Sequence, residues 1–271
     1  ESNQGTLKGL KSGGISSTTI MTGCRWFEQA VVITRKNPQI KVGVHTVLTS
    51  EWGKYKWGPV LGWKTVPSLC DNRGYFFDDV PLVYLSAKME EVDKEIRAQI
   101  DKALAAGLDI THIDSHMGTM QYAPGYHELY IKIAQDYKLP CRMAGRDLMD
   151  KMNGGYLIEM ADKMGVIHPD VLFMDGPPNI EETESWWKER MSKIEPGKVT
   201  ELYIHCAVDT EEMRDTTAST GRRVADTDFF SMPETRQWMK DQGITLISYR
   251  MLRELQRTGK PGDYKAIEPW E

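Results

Sequence analysis

Along this chain the apolar positions alternate between a spacing of two and a spacing of three to four, and each change of spacing marks an element. Residues 3–11 predict a short helix stopped by Gly13-Gly14. Residues 15–22 are β-branched and strand-like, and 26–35 read as a helix through Phe27, Ala30, Val31 and Ile33. The next strand, 41–49, carries Val42, Val44, Thr46 and Leu48 on one face and Gly43, His45 and Val47 on the other. An irregular segment follows over 50–86, and then the clearest helix, 88–106, with Val92, Ile96, Ile100, Ala103 and Leu104 as its stripe and Gly107 at its end. Further strands are predicted over 111–118, 139–143, 171–175, 201–208 and 244–249. The helices between them start at Pro124 and cover 181–194 and 231–242, and a last one runs through Leu252 and Leu255. Alternation of this kind implies an α/β fold with a parallel sheet and crossover helices.

Candidate chemistry gathers at strand ends. Thr111-His112-Ile113-Asp114-Ser115-His116 places two imidazoles and a carboxylate on one face of a strand. At about 3.3 Å per residue, His112 and His116 are roughly 13 Å apart, so only one of them can hold a given ion at about 2.1 Å. In an α/β barrel the chemistry lies at the C-terminal ends of the strands, which selects His116. His45 and His205 also fall near strand ends, and together the three histidines would converge on one mouth that suits a divalent metal. A polar patch tied up in hydrogen bonds fits the His-x-Asp-x-His pattern equally well, and a satisfied core histidine fits His45. The tryptophans of 50–86, Trp57 among them, offer faces for a sugar or simply anchor the segment. Tyr122 is a second candidate for substrate contact, and Asp114 suits the orientation of a ligand histidine better than ligation itself. Arg142, on the strand next in sequence, is a candidate for holding an oxyanion or a hydroxyl, with a structural ion pair as the alternative.

Length and charge narrow the class. A chain of 271 residues fits one α/β barrel domain, and residues 1–271 are read as a single domain. The net charge of -5 argues against a nucleic-acid binder, and no apolar stretch is long enough for a membrane span. The four cysteines form no C-x-x-C pair, which disfavours a thiolate site and leaves disulfides open. The chain opens at Glu1 with a helix, which suggests that a strand precedes it and leaves the compartment open between cytoplasmic and exported.

Taken together, Asn3-Gln4-Gly5, Ile15-Ser-Ser-Thr-Thr-Ile-Met21, Gly43-Val44-His45, Thr111 to His116, Tyr203-Ile204-His205 and Leu246-Ile-Ser-Tyr-Arg250 resemble the YdjC-like carbohydrate deacetylases in order and spacing over nearly the whole chain. The resemblance implies a distorted (β/α) barrel related to polysaccharide deacetylases, with its first strand before Glu1. It implies a divalent ion, zinc or magnesium, held by His45 and His116, and an acetylated sugar or oligosaccharide as substrate; a homodimer is compatible with it. The family's opening Asp-Asp pair, which supplies a ligand and the proposed base, would stand upstream of Glu1. Two further departures are Met117-Gly118, where many members continue with His-x-His, and Cys206, where many have proline. On this reading His205 protonates the leaving amine, Asp114 orients a ligand and Arg142 stabilises the oxyanion. A hydrolase of another amide or ester on the same fold, and a non-catalytic sugar-binding barrel, are the alternatives.

Overall fold

The computed structural model describes residues 1–260, 262 and 267–270. Helix α1 (Ser2–Lys11) leads into β1 (Thr18–Ile20), followed by α2 (Phe27–Lys36) and β2 (Val42–Thr46). After α3 (Val80–Ser86) and α4 (Met89–Ala105) the chain enters β3 (Ile110–Ser115) and then α5 (Pro124–Tyr137). Helices α6 (Arg146–Lys151) and α7 (Gly155–Met164) precede β4 (Val171–Phe173), α8 (Thr183–Met191) and β5 (Thr200–Leu202). The chain continues through α9 (Glu211–Thr216), α10 (Thr220–Ser231), α11 (Pro233–Asp241) and α12 (Tyr249–Thr258). Among the described residues the strands make two parallel sheets, β1-β2-β3 and β4-β5, and the α/β class expected from the periodicity holds.

The strands are shorter than their apolar runs. In 139–143 Pro140 has no amide to give a ladder, and only a single bridge joins Cys141 to Ile113. Residues 244–248 form no strand, and the 201–208 run pairs only over β5. The strand expected to reach Gly118 ends at Ser115, because Met117 (φ 50°) and Gly118 (φ 64°) turn the backbone left-handed. Inside the segment expected to be irregular, α3 forms where Asp79 caps the Leu82 amide at 2.9 Å and Pro81 occupies the first turn.

Helix α4 is the main buttress of the central sheet. Val92, Ile96, Ile100 and Ala103 are fully buried, and each larger side chain contributes roughly 1.5–3 kcal/mol by leaving water. Its polar residues also face inward: the Gln99 amide takes both the N–H and the C=O of Val47, each at 2.8 Å, as a neighbouring strand would. One turn earlier, the buried Glu95 carboxylate accepts from Val60 and Leu61 at 2.8 and 3.1 Å. These bonds fix where the long segment after β2 departs from the sheet. A smaller core of Trp187, Met191, Phe229, Phe230 and Met239 lies between α8, α10 and α11.

Candidate active site

The site begins with an irregularity in the sheet. Val42 pairs with Ile110 but Val44 with Ile113, so β3 carries one residue more than β2 between these pairs. Bulges of this kind re-aim side chains. Here the shift lays His45 alongside Asp114, and His45 Nδ1 meets Asp114 Oδ1 at 2.5 Å. The bulge also packs His112 against Gly43, where a Cβ would lie 2.5 Å from His112 Nδ1 and 2.6 Å from its carbonyl oxygen. Only glycine fits there.

Immediately after β3, His116 turns toward the same place. Its Nδ1 lies 3.1 Å from His45 Nε2, and its Nε2 lies 2.8 Å from Glu51 Oε2. Burial opposes the charge on Asp114, but His45 and Arg142 outweigh it and hold the carboxyl well below the usual range. Burial likewise opposes the Glu51 carboxylate, and its bond with His116 outweighs that. His116 itself is pushed down by burial, which favours the neutral imidazole. Both carboxylates are therefore acceptors, and each draws an imidazole N–H to itself. With both N–H groups so placed, the two remaining nitrogens, 3.1 Å apart, would be free to hold a cation between them.

Behind His45 the network runs into the core. Asp114 Oδ2 accepts from Arg142 Nη1 at 2.8 Å and from the Thr19 hydroxyl at 3.3 Å. Arg142 spends Nε and Nη2 on Glu201 Oε1, at 2.9 and 2.6 Å, and Glu201 Oε2 accepts from the Tyr249 hydroxyl at 2.6 Å. Tyr249 stacks flat on His112 with centroids 3.8 Å apart, and burial drives the His112 pKa down to about 3. Two of the site's three carboxylates, Asp114 and Glu201, are thus paired with Arg142, whereas Glu51 meets only His116.

Two imidazole nitrogens 3.1 Å apart are spaced as neighbouring ligands at about 2.1 Å from one ion would be. Each is oriented by a carboxylate on its far nitrogen, as ligand histidines usually are. Among the described residues no group of three or more His, Cys, Asp and Glu side chains is placed to hold a metal ion.

The description YdjC-like protein belongs to the family model that matches residues 1–241. The chain belongs to the YdjC-like family. Among curated proteins, a carbohydrate deacetylase of Brevibacillus brevis is 36% identical over a match spanning 52% of each chain. A carbohydrate deacetylase of Thermoanaerobacter pseudethanolicus is 26% identical over 93% of each. Among solved structures, an Enterococcus faecalis protein provisionally described as a cellobiose-phosphate cleavage protein superposes with a TM-score of 0.78 at 25% identity, over 93% of each chain.

The YdjC-like chain brings together most of the residues singled out from its sequence, though not always in the expected roles. His45, His116 and Asp114 meet. Arg142 donates from Nε, Nη1 and Nη2 to Asp114 and Glu201, the ion pairing that stood as the alternative to an oxyanion contact. Trp57 is 4% exposed, donates to the Thr49 carbonyl at 2.8 Å and turns its ring edge-on to His116, so it anchors the segment and has no open face for a sugar. Tyr122 lies exposed at the rim, its ring packed over Gly118. His205 sits on the irregular stretch after β5; solvent reaches its ring, yet the protein crowded around it, followed by the charges of Arg223, His45, His116 and Arg142, depresses its pKa. Sequence reasoning missed Glu51, Glu201, Tyr249 and Arg223. Glu51 carried a faint signal, an acid five residues past the last residue of β2. The four cysteines are unpaired, and among the described residues no helix is long and apolar enough to cross a membrane.

Proposed function

We propose that this YdjC-like protein is a metal-dependent carbohydrate deacetylase, removing acetyl groups from N-acetylated sugars or oligosaccharides by hydrolysis. The observation that carries the reading is the His45–His116 pair, whose near ring nitrogens lie 3.1 Å apart between two ionised carboxylates. The names of the curated relatives support the substrate class. The backbone bonds from Cys141 to Ile167 and from Asp170 to Val199 support reading the two sheets as arcs of one distorted barrel.

His45 and His116 would hold the ion, and two nitrogen donors favour zinc over magnesium. Bound there, a divalent ion would lower the pKa of a water and polarise the acetyl carbonyl. A carboxylate, as the family resemblance implies, would complete the ligand set. Asp114 and Glu51 keep both rings in the ligating tautomer. His205, neutral at pH 7 because its pKa is depressed, would take the proton released by the attacking water and pass it to the leaving amine as the C–N bond breaks.

Acetate release from short N-acetylglucosamine oligomers by the full gene product, with and without added zinc, tests the proposal. Release that needs metal and is lost in His116→Ala supports it; no release under any metal condition sinks it. In His205→Ala, turnover should fall by about 100-fold or more with bound metal unchanged. Parallel loss of metal and turnover would make His205 a ligand instead.

A further inference from the structure

With Arg142 held between Asp114 and Glu201, the other guanidinium of the mouth gains weight. Arg223, in the first turn of α10, is half-buried, and its cation lies close enough to His205 and Glu51 to act on the ionisation of both. Its Nε donates to Ser219 Oγ at 2.8 Å, and its guanidinium carbon sits 5.4 Å from the centre of the Trp52 ring. Among the described residues no carboxylate lies within ion-pair distance of it, and neither η nitrogen has a hydrogen-bond partner. Burial accordingly pulls its pKa below the usual guanidinium range, and the charges of Glu51, Cys206 and Asp226 offset that only in part.

The aromatic segment after β2 explains how this cation is held. Trp57 meets His116 edge-on at 5.9 Å, Trp52 meets Trp57 edge-on at 5.7 Å, and Arg223 lies over Trp52. One continuous run of rings thus ties the guanidinium to the histidine pair. Trp52 is covered by Arg223 and flanked by Trp57, so its work is support. A fixed, partly desolvated guanidinium with two free nitrogens at the mouth of a site is built to meet acceptor oxygens.

We propose that Arg223 is a substrate-binding residue, donating from its η nitrogens to oxygen atoms of the acetylated sugar, and that Trp52 positions it. The proposal rests on the deacetylase reading above. The test is steady-state kinetics of the metal-loaded full gene product on short N-acetylglucosamine oligomers, comparing wild type with Arg223→Met, Arg223→Lys, Trp52→Leu and the double variant Arg223→Met/Trp52→Leu. Arg223→Met should raise KM about tenfold or more, with bound metal and melting temperature unchanged. Arg223→Lys should recover part of the loss. Trp52→Leu should raise KM less, and the double variant should be no worse than Arg223→Met alone, because the support matters only through the cation. An active wild type with KM in Arg223→Met within twofold of its own overturns the proposal while leaving the deacetylase reading intact. If the wild type deacetylates no sugar, that reading fails, and tryptophan-fluorescence titration with the same oligomers decides: weaker binding by Arg223→Met sustains the assignment, and equal binding, or none by either protein, overturns it.

Discussion

The two histidines of the site are backed by carboxylates of opposite kinds. Asp114 stands on a sheet strand, is 1% exposed, and belongs to a buried chain that continues through Arg142 and Glu201 to Tyr249. Glu51 stands on the irregular segment beyond β2, is 28% exposed, and touches the network only through His116. Both do the same local work of fixing a tautomer. They differ in what else depends on them: Asp114 is part of what holds the sheet together, whereas Glu51 serves the site alone.

The sharpest way to break the comparison is to neutralise each carboxylate in turn. Asp114→Asn leaves the buried Arg142 with one of its two anions, and unfolding stability should fall by about 3–5 kcal/mol in urea titration. A loss below about 1 kcal/mol would show that Glu201 alone suffices.

Acidification gives the next effect. His112, in the buried half, has its pKa lowered from 6.5 to about 3 by burial, and His127, also buried, to about 4. Between these limits the unfolded chain takes up protons that the folded chain refuses. Stability should therefore be complete above pH 6.5 and decline by more than about 1 kcal/mol per unit as the pH falls from 6 toward 4.5. Ring resonances of His112 should keep their neutral positions over the same interval; a midpoint near 6 would refute the picture of a sealed interior.

The smallest change in stability is expected for Glu51→Gln, below about 1 kcal/mol, because the side chain is partly solvated. On the metal-dependent reading proposed above, its effect should appear instead in metal affinity, weakened roughly 10- to 100-fold by the lost orientation of His116. If Glu51→Gln unfolds the protein while Asp114→Asn does not, the contrast is reversed.

These differences also explain what could be read from the sequence. His45, Asp114 and His116 were legible because alternation along a strand fixes which side chains share a face, and imidazole and carboxylate chemistry narrows their use. The bulge that aligns His45 with Asp114 was not legible, since it depends on how two strands register. Arg142 stood out as a charge on a strand, with an ion pair as one of its two readings, but its partners did not. Its partners, Asp114 and Glu201, lie 28 and 59 residues away, and no local pattern announces such pairing. Glu51 and Arg223 act from an irregular segment and a helix end, where periodicity is silent. The α/β alternation came through because the apolar runs mark where strands lie. Their lengths did not, because a ladder also needs amide donors, which Pro140 lacks, and a backbone free of turns such as that at Met117.

No side chain can replace the hydrogen of Gly43 without displacing His112, whose ring lies flat on Tyr249, whose hydroxyl holds Glu201, whose carboxylate holds Arg142 and through it Asp114. Mutational tolerance in this molecule is therefore not a matter of distance from the chemistry. A position with no functional group of its own is closed to substitution, while the exposed ring of Tyr122 lies outside that chain of contacts and can be exchanged without disturbing it.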